Sequence, residues 1–155
     1  MKGEHKTMAK TINPVMEKAI LSQIEKEAAR VNGLNLSLLH DIEEFLDLEG
    51  LVFMDLAQES ELPQSDMTYV IIENGDYNNT TPEQLTFTEN VTITFWSENR
   101  ANPVLDRLTL LYLAKKNGLK VVASDNQNII LTNTSRVVNM FTLTCSRGVM
   151  VKGLC

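Results

Sequence analysis

The first stretch of ordered hydrophobic and polar alternation has the period of a helix. From Asn13 onward, apolar side chains recur three or four residues apart, and charged side chains occupy the opposite face. Asn13 suits an N-cap, Pro14 suits the first helical position, and Gly33 suits a left-handed C-cap. The pattern therefore predicts an amphipathic helix from residue 13 to Gly33.

A second, short helix is predicted between Ser37, a suitable cap, and Gly50. One of its faces is strongly acidic. The acidic residues are Asp41, Glu43, Glu44, Asp47 and Glu49. Such a face is either a solvated helix surface or a docking surface for a basic partner, and the sequence leaves both interpretations open.

Beyond residue 50 the period shortens to two residues, which is typical of strands. Three strands are predicted, over residues 51–56, 67–73 and 85–95. Residues 74–82, rich in Asn, Gly and Asp, predict a long hairpin loop before the third strand. That third strand alternates Thr with apolar residues. Glu89 and Asn90 interrupt its order, as a bulge or an exposed pair would.

The clearest helix signal comes next, between a capping Asn102 followed by Pro103 and a terminating Gly118. Its apolar stripe, which includes Leu110 and Leu113, is wider than one buried face requires. We therefore expect this helix to be covered on more than one side, either by the sheet and the first helix or by a neighbouring subunit. Leu110 and Leu113 are accordingly candidate interface residues.

The last third of the chain again has the period of strands. Residues 119–123 and 128–132 flank a polar segment, which predicts a hairpin or a short strand with a bend. Residues 137–145 predict the final strand. Helices are too few for a parallel doubly wound sheet, so we predict an α+β fold. It has a mostly antiparallel sheet of four or five strands, with two or three helices packed on it.

Length and composition add limits to this fold. The 155 residues, 43% hydrophobic and 22% charged, suit one globular domain. We place it at residues 13–148, after a flexible leader (1–12) and before a tail (149–155). The net charge of −6 argues against general nucleic-acid binding, and we predict no specific nucleic-acid partner. The chain has no apolar run long enough for a membrane span or a signal peptide, which predicts synthesis inside the cell.

Candidate chemistry is sparse. Cys145 and Cys155 fit two free thiols in a reducing compartment, and His40 lies among helical carboxylates with no second ligand of the kind zinc prefers. No phosphate-binding loop or nucleophile elbow is present. We therefore predict no enzyme, no cofactor and no metal site. The remaining catalytic hypothesis is His40 as a base or ligand.

Trp96 and Arg100, at the end of the third strand, have two interpretations. Trp96 either plugs the end of the core while Arg100 is solvated, or the two form a contact patch, because Trp and Arg are favoured at interface hot spots. With Leu110, Leu113 and the acidic residues Glu43, Glu44 and Asp47, they are the candidate interface residues.

Three segments together resemble a known family. They are Asn90 to Arg100 (Asn-Val-Thr-Ile-Thr-Phe-Trp-Ser-Glu-Asn-Arg), Leu105 to Leu108 (Leu-Asp-Arg-Leu) on a helix, and Arg136 to Arg147 (Arg-Val-Val-Asn-Met-Phe-Thr-Leu-Thr-Cys-Ser-Arg). In order and pattern, residues 14–148 resemble the tail terminator and neck (tail completion) proteins of tailed bacteriophages. A second helix at residues 34–50 departs from that pattern and would fit another neck component or a contractile-tail version.

The resemblance implies a structural protein of the virion neck or tail end, made in the host cytoplasm. Such proteins form a ring, commonly a hexamer, that caps the tail tube and stops its polymerisation. The implied partners are other copies of the chain, the tail tube protein and the head-completion or connector proteins. No catalysis is implied. The alternative from another class is a small protein-binding module that uses its acidic helix.

Overall fold

A computed structural model of the protein describes residues 14–55, 65–81, 86–132 and 134–151. The elements are α1 (Pro14–Phe45), β1 (Val52–Met54), β2 (Tyr69–Thr81), β3 (Thr86–Ser97), α2 (Pro103–Lys116), β4 (Lys120–Ile130) and β5 (Val137–Met150). The predicted α+β class is confirmed. Within these ranges, no helix combines the length and the apolar character needed to cross a membrane.

The five strands form one sheet in the order β1-β2-β3-β5-β4. β1 runs parallel to β2, and all other neighbours are antiparallel. Alternate side chains of β3 and β5 point to one face, where Ile93 lies opposite Leu143 and Phe95 opposite Phe141. These side chains are buried in one core with residues of both helices, such as Leu38. The other face of the sheet carries the threonines.

The first two predicted helices are one continuous helix of 32 residues, so the prediction of a cap at Gly33 is wrong. A glycine inside a helix costs about 1 kcal/mol relative to alanine. The burial of Leu38 and Ile42, which continue the apolar stripe onto the core, outweighs that cost. The helix ends instead at Phe45, and Asp47, two residues later, has a left-handed φ of 54°. The Leu48 amide then donates to the Glu43 carbonyl at 2.9 Å, as in a Schellman motif.

The predicted hairpin loop is also wrong in extent, because β2 continues through Thr81. Asn78 and Asn79 pair with β3 despite their preference for turns. A register shift occurs in β2 between Asn74 and Tyr77. β3 itself is regular, and Glu89 occupies the same face as Val91, buried rather than exposed or bulged.

The predicted break in β4 is absent. Lys120–Ile130 is one edge strand, with a bulge between Val121 and Ala123 instead of a bend at residues 124–127. β5 extends past Cys145 to Met150, so the first residues of the predicted tail belong to the sheet. The proposed leader, residues 1–12, and the end of the tail, residues 152–155, lie outside the described residues.

The ends of α2 agree with the sequence. The Asn102 side chain accepts a hydrogen bond from the Leu105 amide at 3.1 Å, and Pro103 occupies the first turn. Gly118 follows the helix with a φ of 81°, where a side chain would be strained. Leu119 then donates from its amide to the Ala114 carbonyl at 3.0 Å, which ends the helix directly before β4.

Candidate functional site

Leu110 and Leu113 do not lie on the surface. Both are buried in the core of the chain itself, so they cannot contact a partner while the domain stays folded, and their assignment to an interface is corrected. The outer side of α2 carries the part of the wide apolar stripe that the described residues leave exposed. Leu105, Leu108 and Tyr112 lie there, and we call these three residues the α2 ridge.

The ridge residues are 58%, 60% and 60% exposed, in chain order. Their spacing of three and four residues places them in one row along the helix. The sequence indicated that the apolar stripe of α2 is wider than one buried face, but it did not show which of the leucines are buried in the core. A continuous row of exposed large apolar side chains is a candidate contact surface for another protein.

A second apolar surface lies under the first half of α1. Its side chains Ile24, Ala28 and Val31 form one wall of a groove of about 230 Å³. The opposite wall is formed by Tyr77 in the second half of β2, by Val149 near the end of β5 and by Val151 directly after it. We call this the α1 groove. The same stripe of α1 is buried further along, at Leu38 and Ile42, because there the sheet covers it.

Polar contacts hold α1 over the end of β5 beside this groove. Arg30 donates from Nη2 to the Gly148 carbonyl at 3.0 Å and pairs with Glu27 at 2.7 Å. The Met150 amide donates to the Glu27 carboxylate at 2.7 Å. The groove walls are therefore fixed relative to each other, and the groove belongs to the folded domain.

Below the groove, a buried ion pair joins β3 to β5. Arg147 donates from Nε to Glu89 at 2.6 Å, and the two side chains are only 2% and 3% exposed. Arg147 also donates to the side-chain oxygens of Asn35 on α1 and Asn74 on β2, at 2.6 and 3.1 Å. The Tyr77 hydroxyl donates to the second Glu89 oxygen at 2.9 Å, which raises the pKa of Tyr77.

This cluster was missed in the sequence, although a signal was present. Residues 141, 143 and 145 point to the core, and the same alternation continued by two residues places Arg147 there as well. Glu89 is likewise two residues before Val91 in β3, so its side chain points to the same core face. No buried side-chain nitrogen or oxygen in the described ranges lacks a hydrogen-bond partner, so the cluster is a satisfied structural element.

Trp96 lies on the sheet face away from the helices. Its ring is 6.3 Å from that of Tyr69, and Tyr69 in turn contacts Phe53 edge-on at 6.3 Å. Trp96 is half-buried and does not belong to the core between the sheet and the helices. It therefore does not plug that core, and its ring is partly accessible.

Arg100 joins three segments of its own chain. Its guanidinium forms a two-point pair with Asp106 in α2, at 2.8 and 3.1 Å, and donates to the Leu46 carbonyl at the end of α1, at 2.9 Å. The hydrogen bond to Asp106 raises the pKa of Arg100. Arg100 is therefore neither simply solvated nor free for a partner, and its donors hold the helix ends together.

The acidic candidates Glu43, Glu44 and Asp47 surround a shallow depression at the end of α1, with His40 and Glu49. Glu43 accepts a hydrogen bond from the Gly50 amide at 2.9 Å, and its other oxygen lies 3.3 Å from His40 Nδ1. Glu44 and Asp47 are exposed. The three carboxylates therefore share one surface, on which Glu43 and the backbone of Asp47 also close the helix end.

The two residues considered for chemistry, Cys145 and His40, have different environments. Cys145 is buried in the core, and desolvation raises the pKa of its thiol to about 11, which disfavours the nucleophilic thiolate. His40 is exposed and pairs with Glu43. Among the described residues, no cluster of three His, Cys, Asp or Glu side chains suits a metal ion.

Comparison with known proteins gave neither a matching family model nor a matching curated protein.

Proposed function

We propose that this chain is a ring-forming structural protein of a phage neck or tail end, a tail terminator that caps the tail tube and provides the surface for head joining. The observation that carries the proposal is the α2 ridge. Leu105, Leu108 and Tyr112 expose more than half of their surface on an ordered helix. A neighbouring subunit in a ring would cover such a row of apolar side chains.

The element order also supports the proposal. The sequence predicted a second helix at residues 34–50, which departed from the pattern of tail terminators. Because α1 runs unbroken to Phe45 and β1 follows at Val52, that departure is absent. The chain enters its sheet directly after the first helix, as the resemblance implies. Another neck or connector component remains the nearest alternative within this class.

The proposal assigns no catalysis, cofactor or metal to the chain. Its partners would be other copies of itself, in a ring that is commonly a hexamer, together with the tail tube protein and head-completion proteins. The net charge of −6 suits this role, because an acidic ring repels DNA phosphates and does not hold the passing genome.

Electron microscopy of the purified protein, alone and after mixing with tail tubes, tests the proposal. We expect rings, or density for this chain at one end of each tube, and an end to further tube growth in the presence of tube subunits. A chain that stays monomeric and leaves the tube ends bare and growing would overturn the proposal. The tube arm decides the outcome if the free protein does not form rings.

A second candidate function is a module that binds a basic partner through the acidic surface that Glu43, Glu44, Asp47 and Glu49 form beside His40. The structure sharpens its test. Charge reversal at Glu43 would also remove the acceptor of the Gly50 amide, so Glu44→Lys combined with Asp47→Asn is the better variant. Asn tolerates the left-handed backbone of Asp47. Lost binding to a basic peptide, with Glu25→Lys as the control, would favour this function.

A further inference from the structure

We propose that residues 152–155 turn back over the end of β5 and that the Leu154 side chain fills the α1 groove. The occupant of the groove is thus a segment of this same chain, which directly follows the described residues. The contact lies within one copy, so it is independent of ring formation. It concerns how the first half of α1 is held against the sheet.

The size and the lining of the groove suit one aliphatic side chain. Its volume of about 230 Å³ is below the roughly 300–1,000 Å³ of pockets that hold drug-sized ligands. It exceeds the roughly 150 Å³ of a cavity left when a buried leucine is reduced to alanine, so one leucine can enter. Both walls are mostly aliphatic, and burial of a leucine against them removes apolar surface from water. The aliphatic lining residues are Ile24, Ala28, Val31, Val149 and Val151.

The 152–155 segment starts at the groove itself. Val151, the last described residue, lines the groove directly after β5. Leu154 follows three residues later and is the one large apolar residue of the segment Lys-Gly-Leu-Cys. Gly153 adopts a left-handed backbone without a steric penalty, which allows the chain to reverse between Val151 and Leu154. So short a connection holds Leu154 near the groove at an effective concentration of roughly millimolar.

The segment before α1 is less well placed to fill the groove. The first lining residue on α1 is Ile24, and α1 begins at Pro14, so the groove lies about 15 Å along the helix axis from that end. Residues 1–13 would have to run back along more than two helical turns to bring an apolar side chain such as Ile12 to the groove. The position of Val151 therefore favours the 152–155 segment.

The first half of α1 has little apolar cover without such a contact. None of residues 14–32 is buried. The hydrogen bonds of Glu27 and Arg30 hold the helix over the end of β5 but leave the groove between helix and sheet open. Leu154 joins the two walls through one side chain. It extends toward the start of α1 the apolar contact that the core makes further along the helix at Leu38.

The test uses Cys155, a natural thiol next to Leu154, in the full chain. Ala28→Cys places a second thiol in the groove wall, and Ala29→Cys places one at the exposed neighbouring position, which does not line the groove. Diamide oxidises two such thiols to a disulfide and takes up their two hydrogens. A disulfide needs Cα atoms within about 7 Å, so Cys155 reaches position 28 quickly only if the segment lies at the groove. Cys145 does not compete, because it is buried in the core.

Mass spectrometry of dilute protein at successive times after diamide addition measures the rate of the intramolecular disulfide. We expect it to form at least about tenfold faster in Ala28→Cys than in Ala29→Cys, because the bound segment holds the Cys155 thiol beside position 28. Leu154→Ser, added to Ala28→Cys, lowers the rate by at least about tenfold, since full burial of a leucine shifts an equilibrium by that factor or more. Lys152→Ser, added in the same way, is the matched control and leaves the rate unchanged.

Equal rates at positions 28 and 29, or a fast rate that Leu154→Ser leaves unchanged, would overturn the proposal. Disulfides that form only between molecules would also overturn it and point to the segment of another copy. Hydrogen exchange without any added cysteine gives a second test. We expect Leu154→Ser to speed amide exchange in residues 24–31 relative to the wild type and to Lys152→Ser, because the first half of α1 loses its apolar contact, and equal exchange in all three contradicts the proposal.

Discussion

Removal of the Glu89 carboxylate is the most severe single perturbation that the structure suggests outside the hydrophobic core. Glu89→Ala leaves the Arg147 guanidinium in place at 2% exposure, without the anion that lies 2.6 Å from Nε. The remaining acceptors, Asn35 and Asn74, are neutral and contact Nη2. A buried charge that loses its partner in this way costs about 3–5 kcal/mol.

That cost is large against a total free energy of unfolding of roughly 5–15 kcal/mol for a domain. With a urea m-value of about 2 kcal/mol/M, it lowers the unfolding midpoint by about 2 M. Urea unfolding of dilute protein at neutral pH, followed by circular dichroism, measures the shift. Arg30→Ala is the comparison, because Arg30 is half exposed and its pair with Glu27 contributes at most about 1 kcal/mol.

A double variant separates the pair from the individual groups. The double variant Glu89→Leu with Arg147→Met removes both charges from the buried site. We therefore expect its loss of stability to be about 2 kcal/mol smaller than the summed losses of the single variants Glu89→Leu and Arg147→Met. Glu89→Ala within about 1 kcal/mol of the wild type, or strictly additive single losses, would refute the inference that a buried charge pair holds β3 to β5.

Three further predictions concern separate features. Gly33→Ala raises the free energy of unfolding by about 0.5–1 kcal/mol, because Gly33 is inside α1 and a Cβ there contacts no other atom. Gly118→Ala lowers the free energy of unfolding, because the φ of Gly118 is left-handed. Urea unfolding measures both changes. Hydrogen bonds from Asn117 and Lys116 hold the pKa of Asp41 below its usual value, so its stabilising contribution is complete above the unfolded pKa and is lost as pH falls through the folded one. Asp41→Asn therefore loses less stability than the wild type between about pH 5 and pH 2, and equal pH profiles would contradict this. Cys145 stays unmodified by a thiol reagent at neutral pH until denaturant is added, because it is buried and its pKa is about 11. Mass spectrometry locates the labelled cysteine. Rapid labelling of Cys145 in the native protein would contradict the prediction and show that the reagent reaches the core.

The sequence predicted the features that depend on residues close together in the chain. The ends of α2 follow from Asn102, Pro103 and Gly118, because capping involves only groups within one turn of the helix end. The inner faces of β3 and β5 follow from period-two alternation, which each strand carries by itself. The wide apolar stripe of α2 was also visible in the sequence. It predicted a cover on more than one side, by the sheet and the first helix or by a neighbouring subunit, and the described residues cover only the side with Leu110 and Leu113.

Where the sequence prediction was wrong, contacts over a long sequence separation outweighed local preferences. Gly33 suggested a helix end, but leucine and isoleucine side chains further along α1 find the core and keep the helix continuous. Asn78 and Asn79 suggested a loop, but β3 supplies hydrogen-bond partners that make them part of a strand. A local preference is worth at most about 1 kcal/mol and yields to such burial and pairing.

The candidate site shows the same division. The sequence of α2 alone shows that this helix has more apolar side chains than one buried face needs. Which of them are buried depends on where the sheet lies: Leu110 and Leu113 are in the core, and Leu108 is on the surface. Glu89 and Arg147 are 58 residues apart, and each alone looks like a surface residue. Only the antiparallel register places them opposite each other, and a charged group can be buried only where its partner is buried with it.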